Sequence, residues 1–295
     1  MTGRSDRPAI RADGIVFSYE EGTRALDGVD FLCGAGEFVA ILASNGSGKT
    51  TLIRVLAALL KPERGRVEIA GQDLNAYSAK EFYQKVGLVL QNARDQLFAA
   101  TVEEDVAFGP RNLGLDDSEV SRRVSESLRN VGAEGLHGRA IHHLSYGEQK
   151  RVSIAGVLAM RPSILILDEP TAGLDPAGEM HMLKLLYQLN RERGITVVLA
   201  THSVDMLPLF VDRIYIMKNG RVLKSGPPRE VFADPEMLDH AKLRLPHIAH
   251  LLHEMKHRDG VPIDGLPLTV GEARRKLLDL IPPEIFYRNG VEGGS

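Results

Sequence analysis

Short apolar runs of strand length recur along the chain and are each followed by polar residues. They occupy residues 38–42, 164–167 and 195–200. A further pair of short runs around Asn219-Gly220 predicts a hairpin. Helix-like segments separate most of these runs, and strands that alternate with helices favour an α/β fold with a parallel sheet. Such sheets bind ligands at the carboxyl ends of their strands.

Helical periodicity dominates residues 101–160 and returns beyond Pro227-Pro228, where we expect a boundary. Residues 51–60 also predict a helix, which Pro62 would close. One apolar helix face is formed by Val120, Val124, Leu128 and Val131. Cap residues predict helix starts at Ser78, Thr101, Ser145, Asp175 and Thr269.

Composition indicates a soluble globular protein, with 43% hydrophobic and 25% charged residues. The 36 basic and 39 acidic residues give a net charge of −3. The chain therefore lacks the excess of basic residues that is typical of nucleic-acid-binding proteins. A single cysteine, Cys33, fits a reducing compartment. No apolar stretch reaches the roughly 18 residues of a membrane span, and Met1–Pro8 are polar. We therefore expect a cytoplasmic protein, for which docking on a membrane protein stays open.

A glycine-rich loop follows the first apolar run. The phosphate-binding pattern is G-x-x-x-x-G-K-[ST], and alanine replaces its first glycine here. The loop reads Ala43, Ser44, Asn45, Gly46, Ser47, Gly48, Lys49 and Thr50. We expect its backbone N–H groups to cradle phosphates, Lys49 to reach the β- and γ-phosphates, and Thr50 to ligate Mg²⁺. Alanine is harmless at position 43 if its φ is negative. A glycine-rich turn that happens to contain Lys-Thr is the alternative.

Two carboxylates end the second apolar run, in the Walker B arrangement. Asp168 and Glu169 follow residues 164–167 directly and precede Pro170. We expect Asp168 to hold Mg²⁺ through water and Glu169 to face the attacking water. A cap or turn role for Asp168 is the alternative, and the buried run before it disfavours that role.

The segment LSYGEQKR, at residues 144–151, lies at a predicted helix start. It resembles the LSGGQ signature of ABC-type ATPases, from which Tyr146 and Glu148 depart. Four other motifs match that family in its own order. They are the adenine-stacking aromatic, the Q-loop, the D-loop and the switch histidine, at Tyr19, Gln91, residues 172–175 and His202.

This resemblance implies a P-loop NTPase of ABC type that hydrolyses ATP with Mg²⁺. Its parts would be a RecA-like core, an antiparallel β part and a helical signature subdomain at about residues 92–160. Residues 1–230 would form the ATP-binding domain, and residues 231–295 a small C-terminal accessory or dimerisation domain.

The resemblance further implies that ATP binds between two subunits. Glu169 would be the general base or would orient the attacking water, and His202 would contact the γ-phosphate. Nucleotide contacts would come from Tyr19, the loop from Ala43 to Thr50, Gln91, and the partner subunit through Ser145, Gly147 and Glu148. Mg²⁺ ligands would be Thr50, Gln91 and Asp168.

Residues 91–110 and 144–160 are most similar to the energy-coupling-factor branch, and within it to the ATPase of cobalt or nickel importers (CbiO/NikO type). Residues 243–246 and 266–273 resemble the C-terminal extension of the same subunit, which helps the ATPases dimerise. The implied partners are a second ATPase, in a homo- or heterodimer, and integral membrane subunits at the cytoplasmic face of the cell membrane. No nucleic-acid partner is expected.

Other functions are weighed against this one. An energy-coupling ATPase of a vitamin importer fits the same motifs. A soluble ABC ATPase acting on DNA or ribosomes predicts a coiled-coil insertion, a second ATPase domain or basic patches, and the sequence contains none of these. A P-loop kinase would need neither the signature nor His202.

Two surface features of the sequence each have two interpretations that stay open. Leu97 and Phe98 either pack within the helical subdomain or line a groove for a helix of a membrane partner. His250, His253 and His257 fall on one side of a predicted helix. They either bind a divalent transition metal or form a solvated polar face.

Overall fold

The structure, a computed structural model, describes residues 8–282, and the strands in that range form two β-sheets. The smaller sheet contains β1 (Pro8–Ser18), β2 (Arg24–Gly34), β4 (Arg64–Ile69) and β5 (Gln72–Asp73). The larger sheet contains β3 (Phe38–Ala43), β6 (Val86–Val89), β7 (Ile164–Asp168), β8 (Thr196–Thr201), β9 (Arg213–Lys218) and β10 (Arg221–Gly226).

The smaller sheet is antiparallel, in the order β2-β1-β4-β5. The larger sheet has the order β10-β9-β3-β8-β7-β6. Its neighbours pair in parallel, except that β9 and β10 form the antiparallel hairpin predicted around Asn219-Gly220. Both turn residues have positive φ, 49° and 72°, as a tight hairpin turn requires. The expected α/β fold with an antiparallel part is therefore confirmed.

Eleven α-helices lie within residues 8–282. They are α1 (Lys49–Leu56), α2 (Ala79–Lys85), α3 (Val102–Asn112), α4 (Asp117–Asn130), α5 (Tyr146–Leu158), α6 (Pro176–Arg193), α7 (Leu207–Phe210), α8 (Pro228–Phe232), α9 (Pro235–His240), α10 (His247–His257) and α11 (Val270–Asp279). All five predicted helix starts are N-caps, and each cap side chain accepts the backbone N–H three residues later.

The larger sheet lies between two apolar cores. Successive side chains of a strand point to opposite faces. Phe38, Ala40 and Leu42 of β3 therefore join one core, and their neighbours in the strand join the other. The first core also contains α3 to α6, and the predicted apolar face of α4 is buried in it. The second core contains α1 and the inner face of the smaller sheet. A central strand buried on both sides gives the loop after β3 a fixed starting point.

The predicted helix over residues 51–60 is wrong at its end. The helix begins at Lys49, directly after Gly48, and ends at Leu56. Ala58 then has a left-handed φ of 59°, which stops the helix well before Pro62. Since alanine is a strong helix former, its sequence carries no signal for this stop.

The C-terminal helices dock on the larger core. The side chains they bury there include Leu238, Ala241, Leu245 and Ala249. A small separate cluster is formed by Leu252, Ile263 and Ala273. The division at residues 230 and 231 stays a prediction, and residues 283–295 of the proposed accessory domain lie outside the described range. None of the helices within residues 8–282 combines the length and the apolar character that crossing a membrane requires.

Candidate active site

Three neighbouring parallel strands end at one edge of the larger sheet and bring most predicted site residues together. The loop after β3, Asp168 at the end of β7 and His202 after β8 lie at this edge. The loop and His202, together with Glu169 next to Asp168, border a cleft of about 600 Å³. The predicted residues that line it are Tyr19, Asn45, Gly46, Gly48, Lys49, Thr50, Gln91, Glu169 and His202.

The loop between β3 and α1 depends on two glycines in the left-handed conformation. Gly46 has φ 78° and Gly48 has φ 94°. A Cβ at Gly48 would lie 2.4 Å from the carbonyl oxygen of Ala25 in β2, whereas one at Gly46 would meet nothing within 4 Å. The hydroxyls of Ser44 and Ser47 bond each other at 3.0 Å within the loop. The loop is therefore packed tightly against β2 at Gly48.

Ala43, which replaces the first glycine of the phosphate-loop pattern, is the last residue of β3. It is fully buried and pairs with Met217 of β9. Its φ is not positive. Because glycine is needed only for left-handed torsions or close backbone approach, alanine carries no torsional cost here.

Glu169 lies between a lysine and a histidine. Its Oε1 is 3.1 Å from Nζ of Lys49, and both its carboxylate oxygens lie 3.0 Å from Nδ1 of His202. Glu169 and Lys49 are buried, whereas the His202 side chain is 58% exposed. Glu169 has a φ of 47°, a conformation that costs a non-glycine residue roughly 1–3 kcal/mol. A strained acidic residue in such a polar cluster is typical of a functional site.

Asp168 and Thr50 fit a Mg²⁺ site. Asp168 is 4% exposed, and within residues 8–282 its Oδ1 has no hydrogen-bond partner. Burial raises the pKa of Asp168, and a hydrogen bond from the Thr50 hydroxyl opposes this rise. Buried carboxylate oxygens need a partner, and carboxylate and hydroxyl oxygens are ligands that Mg²⁺ accepts. Gln91, the third predicted ligand, is exposed in the same cleft.

Tyr19 lies half-buried in the wall of the cleft. Its hydroxyl is 3.0 Å from Oγ1 of Thr51, and its ring meets Phe17 edge-on, with ring centroids 5.1 Å apart. These contacts fix the ring, and its predicted stacking on adenine stays a prediction.

The hairpin turn at Asn219-Gly220 lines the cleft although the sequence did not assign it to the site. The backbone N–H of Gly220 donates to the carbonyl of Ser47 at 3.1 Å. The turn therefore braces the phosphate loop. The Asn-Gly pair indicated only a turn, because its place beside the loop depends on the pairing of β9 with β3. Arg24 also lines the cleft without having been predicted.

The signature residues do not line the cleft of their own chain. Ser145 is the exposed N-cap of α5, and Gly147 lies in the first turn of that helix. Glu148 completes a capping box, since its Oε2 accepts the Ser145 backbone N–H at 2.7 Å. This hydrogen bond lowers the pKa of Glu148. The predicted contact between Glu148 and a ribose hydroxyl stays a prediction, and so does the placement of these residues in a partner's site.

A second concavity, which we call the subdomain groove, has a volume of about 460 Å³. Its apolar lining includes Tyr83, Leu88, Leu90, Phe98, Phe108, Leu113, Val157 and Met160. Phe98 and Phe108 are 65% and 48% exposed, and their rings meet edge-on at 4.7 Å. Leu97, by contrast, is 8% exposed and belongs to the core, which fits the interpretation that it packs within the helical subdomain. Phe98 therefore lines the groove, and its contact with a helix of a membrane partner stays a prediction.

The histidines of α10 do not gather into a metal site. The rings of His253 and His257 lie 4.3 Å apart between centroids. Within residues 8–282, no group of three or more histidine, cysteine or acidic side chains is arranged to hold a metal ion. The geometry gives the metal-binding interpretation of this helix no support.

Comparison with known proteins adds to this geometry. A family model described as "ABC transporter" matches residues 26–172. The energy-coupling factor transporter ATP-binding protein EcfA of Methanocaldococcus jannaschii is 46% identical over 274 residues, which are 92% of this chain and 98% of that protein.

Two solved structures match as well. The structure of cbiO1 from Clostridium perfringens, described as part of the ABC transporter complex cbiONQ, has a TM-score of 0.73 and 42% identity, over 84% of this chain and 100% of that one. The ATP-binding cassette MJ0796, a dimer in a post-hydrolysis state bound to ADP and Pi, has a TM-score of 0.67 and 30% identity, over 75% of this chain and 99% of that one.

Proposed function

The chain belongs to the ABC transporter family of ATP-binding proteins and to its energy-coupling factor type, and from this premise we propose that it hydrolyses ATP to drive cobalt or nickel ions through membrane partner subunits. The observation that carries the proposal is the cluster of Lys49, Glu169 and His202. These residues come from the segments that follow three adjacent strands, β3, β7 and β8. The cluster occurs in a chain with 42% identity to cbiO1, a part of the cbiONQ complex.

The phosphates of ATP would bind at the loop after β3 and at the start of α1. Backbone N–H groups and the positive end of the helix dipole favour negative charge there. Lys49 now lies 3.1 Å from the Glu169 carboxylate. Phosphate oxygens would replace this carboxylate as the partner of Lys49.

Mg²⁺ would be held by Thr50 and Asp168, with Gln91 as a further ligand. The unpaired, buried Oδ1 of Asp168 supports this assignment. When bound, the ion neutralises charge on the β- and γ-phosphates.

Glu169 would accept the proton of the attacking water or orient that water, and His202 would contact the γ-phosphate. His202 meets Glu169 through Nδ1, which leaves Nε2 as the ring nitrogen for the phosphate. In this arrangement His202 keeps the Glu169 carboxylate in a fixed orientation while its own outer edge faces substrate.

We place the complete site between two copies of the ATPase fold. Ser145 and Gly147 do not line the cleft of their own chain, which supports a role at a partner's ATP. The related cassette MJ0796 is dimeric. The Glu169→Gln variant with ATP distinguishes the two kinds of dimer: a dimeric mass of the chain alone indicates a homodimer, and a monomeric mass indicates a different ATPase partner.

The subdomain groove is the proposed contact with a membrane subunit, at the cytoplasmic face of the cell membrane. Leu90 lines the groove and Gln91 lines the nucleotide cleft, so adjacent residues connect the two surfaces. A helix with an apolar face fits the exposed Phe98 and Phe108 rings.

The groove is tested with Phe98→Ser. We expect this variant to lose co-purification with the membrane subunits while its affinity for ATP is unchanged. Leu32→Ser is the matched control, because Leu32 is a 49% exposed apolar residue on a strand away from the groove. Assembly of Phe98→Ser at the wild-type level would contradict the docking proposal.

The cargo is tested by reconstituting the ATPase with its neighbouring membrane subunits in liposomes. We expect ATP-dependent uptake of Co²⁺ or Ni²⁺, and no uptake with Glu169→Gln. Uptake of a vitamin instead would assign the chain to a vitamin importer. Failure of the chain to co-purify with any integral membrane subunit would point to a non-transport ABC ATPase.

A further inference from the structure

Lys150 is a buried cation that the proposed nucleotide contacts do not use. It lies in α5 and its side chain is 0% exposed. Its Nζ donates to the carbonyl oxygen of Gln91 at 2.7 Å and to that of Glu169 at 3.1 Å. Nζ also lies 5.3 Å from the centroid of the Tyr146 ring. Within residues 8–282 it forms no ion pair with a carboxylate.

A buried ammonium without an ionic partner is expensive to maintain. Burial lowers the pKa of Lys150 to about 8, although the charges of Glu169 and Asp168 oppose the shift. Methionine would fill nearly the same volume without this desolvation. The lysine is therefore explained by its two hydrogen bonds and its contact with the Tyr146 ring, and not by packing alone.

The hydrogen bond from Lys150 to the Glu169 carbonyl holds the strained backbone of Glu169 in place. The backbone N–H of Glu169 donates to the carbonyl of Ala200 at 2.9 Å, and the carbonyl of Glu169 accepts from Lys150. Both peptide groups that flank Glu169 are thus fixed, which maintains its φ of 47°. Because φ and ψ determine where Cβ points, these two bonds aim the Glu169 carboxylate at Lys49 and His202.

The contacts of Lys150 with Gln91 and Tyr146 connect Glu169 to two neighbouring segments of the chain. Gln91 follows β6 and faces the nucleotide cleft. The Tyr146 ring shields Nζ on one side and packs against Gly173, where a Cβ would lie 2.9 Å from the ring. One ammonium therefore connects the segments after β6 and β7 with the start of α5.

We propose that Lys150 is a positioning residue for ATP hydrolysis, which fixes the carbonyls of Gln91 and Glu169 and thereby orients the Glu169 carboxylate toward the attacking water. It acts through Glu169 and touches neither phosphate nor water itself. The inference rests on the proposed role of Glu169.

The test compares the purified full chain with its Lys150→Met and Lys150→Arg variants, measuring kcat and KM for ATP in the presence of Mg²⁺. We expect Lys150→Met to lower kcat by about tenfold or more while KM changes by less than about threefold, because binding is retained and orientation is lost. Lys150→Arg keeps a cationic donor and should recover part of kcat. Lys184→Met, which removes an exposed lysine from α6, is the matched control and should leave both constants unchanged.

A double variant tests the route of the effect. In the Glu169→Gln background, where no carboxylate remains to be oriented, Lys150→Met should change the single-turnover rate by less than about threefold. A tenfold effect that persists in this background would overturn action through Glu169.

Other outcomes also decide the proposal. Wild-type kcat in Lys150→Met, no recovery in Lys150→Arg, or a parallel fall of kcat, ATP affinity and unfolding midpoint would overturn it. If Lys150→Met does not fold, Tyr146→Leu takes its place: a lower kcat at constant KM supports the proposal, and wild-type kcat overturns it. Absence of Mg²⁺-dependent ATPase activity in the wild-type chain, even when it is assembled with its ATPase partner and membrane subunits, would instead refute the proposed function.

Discussion

Alanine at Gly48 is expected to destabilise the protein far more than alanine at Gly46, two residues earlier in the same loop. Both glycines have positive φ, 94° and 78°. The left-handed conformation therefore costs each variant roughly 1–2 kcal/mol. Only the new Cβ at position 48 would approach the Ala25 carbonyl to 2.4 Å, and this oxygen belongs to the backbone of β2. Overpacking of this kind adds roughly 1–3 kcal/mol. We expect a loss of about 2–5 kcal/mol for Gly48→Ala and about 1–2 kcal/mol for Gly46→Ala.

The assay is urea unfolding of the full chain followed by circular dichroism, since the sequence has no tryptophan for fluorescence. ATP affinity is measured in parallel, and it should fall more for Gly48→Ala if the loop relieves the clash by moving. Equal unfolding free energies, within about 0.5 kcal/mol, together with equal ATP affinities would contradict the packing explanation. Gly46→Ala is the internal control, because it carries the same torsional change without the contact.

Three further predictions concern separate parts of the molecule. Glu169→Gln should keep ATP binding, lose about 10²–10⁴-fold in phosphate release and trap a nucleotide-bound dimer on size-exclusion chromatography; near-normal turnover would show that Glu169 neither accepts the proton nor orients water. Ala43→Gly should change ATP affinity by less than about threefold in calorimetry, because φ at position 43 is not positive; a large gain would mean that alanine strains the loop. Arg244→Ala removes the ion pair with Asp205, near His202, and should lower the unfolding free energy at neutral pH by less than about 1 kcal/mol. Burial raises the pKa of Asp205, but Arg244 and the backbone N–H of His247 hold it below its usual value. The contribution is therefore complete above about pH 4 and is lost as the pH falls through the lowered pKa, so a variant difference that grows in acid would contradict it.

Local sequence patterns were sufficient to predict those elements whose structure depends on interactions between residues close in sequence. The apolar run that became β3 is buried on both faces, and the capped helix starts follow from side chains that bond their own first turn. The end of α1 was predicted wrongly, and the sequence left the burial of Leu97 open. Both depend on packing between distant segments, which residue type alone does not report.

The residues of the candidate site likewise fall into two groups: those that a local sequence pattern predicts, and those whose place follows only from the packing of distant segments. Lys49 and Glu169 were found from motifs, because Lys49 begins α1 after the glycine-rich loop and Glu169 directly follows β7, each within a characteristic local pattern. Lys150 was missed as a functional candidate, since a lysine in a helix usually faces water. Its bond to Gln91 joins residues 59 positions apart, and its burial follows only from the packing of α5 on the sheet.

The contact between Lys49 and Glu169 makes the site an electrostatic interlock. One ammonium serves two anions in turn, the carboxylate that it holds at 3.1 Å and the phosphates that it is proposed to bind. If a triphosphate takes over the ammonium as proposed, Glu169 would be released to act on water at the moment when a substrate is in place. Binding of the triphosphate and release of the Glu169 carboxylate would then be a single event. A Lys49 variant would consequently bind nucleotide more weakly and would also leave the Glu169 carboxylate without its lysine partner, so its turnover number alone would misassign part of the defect to catalysis.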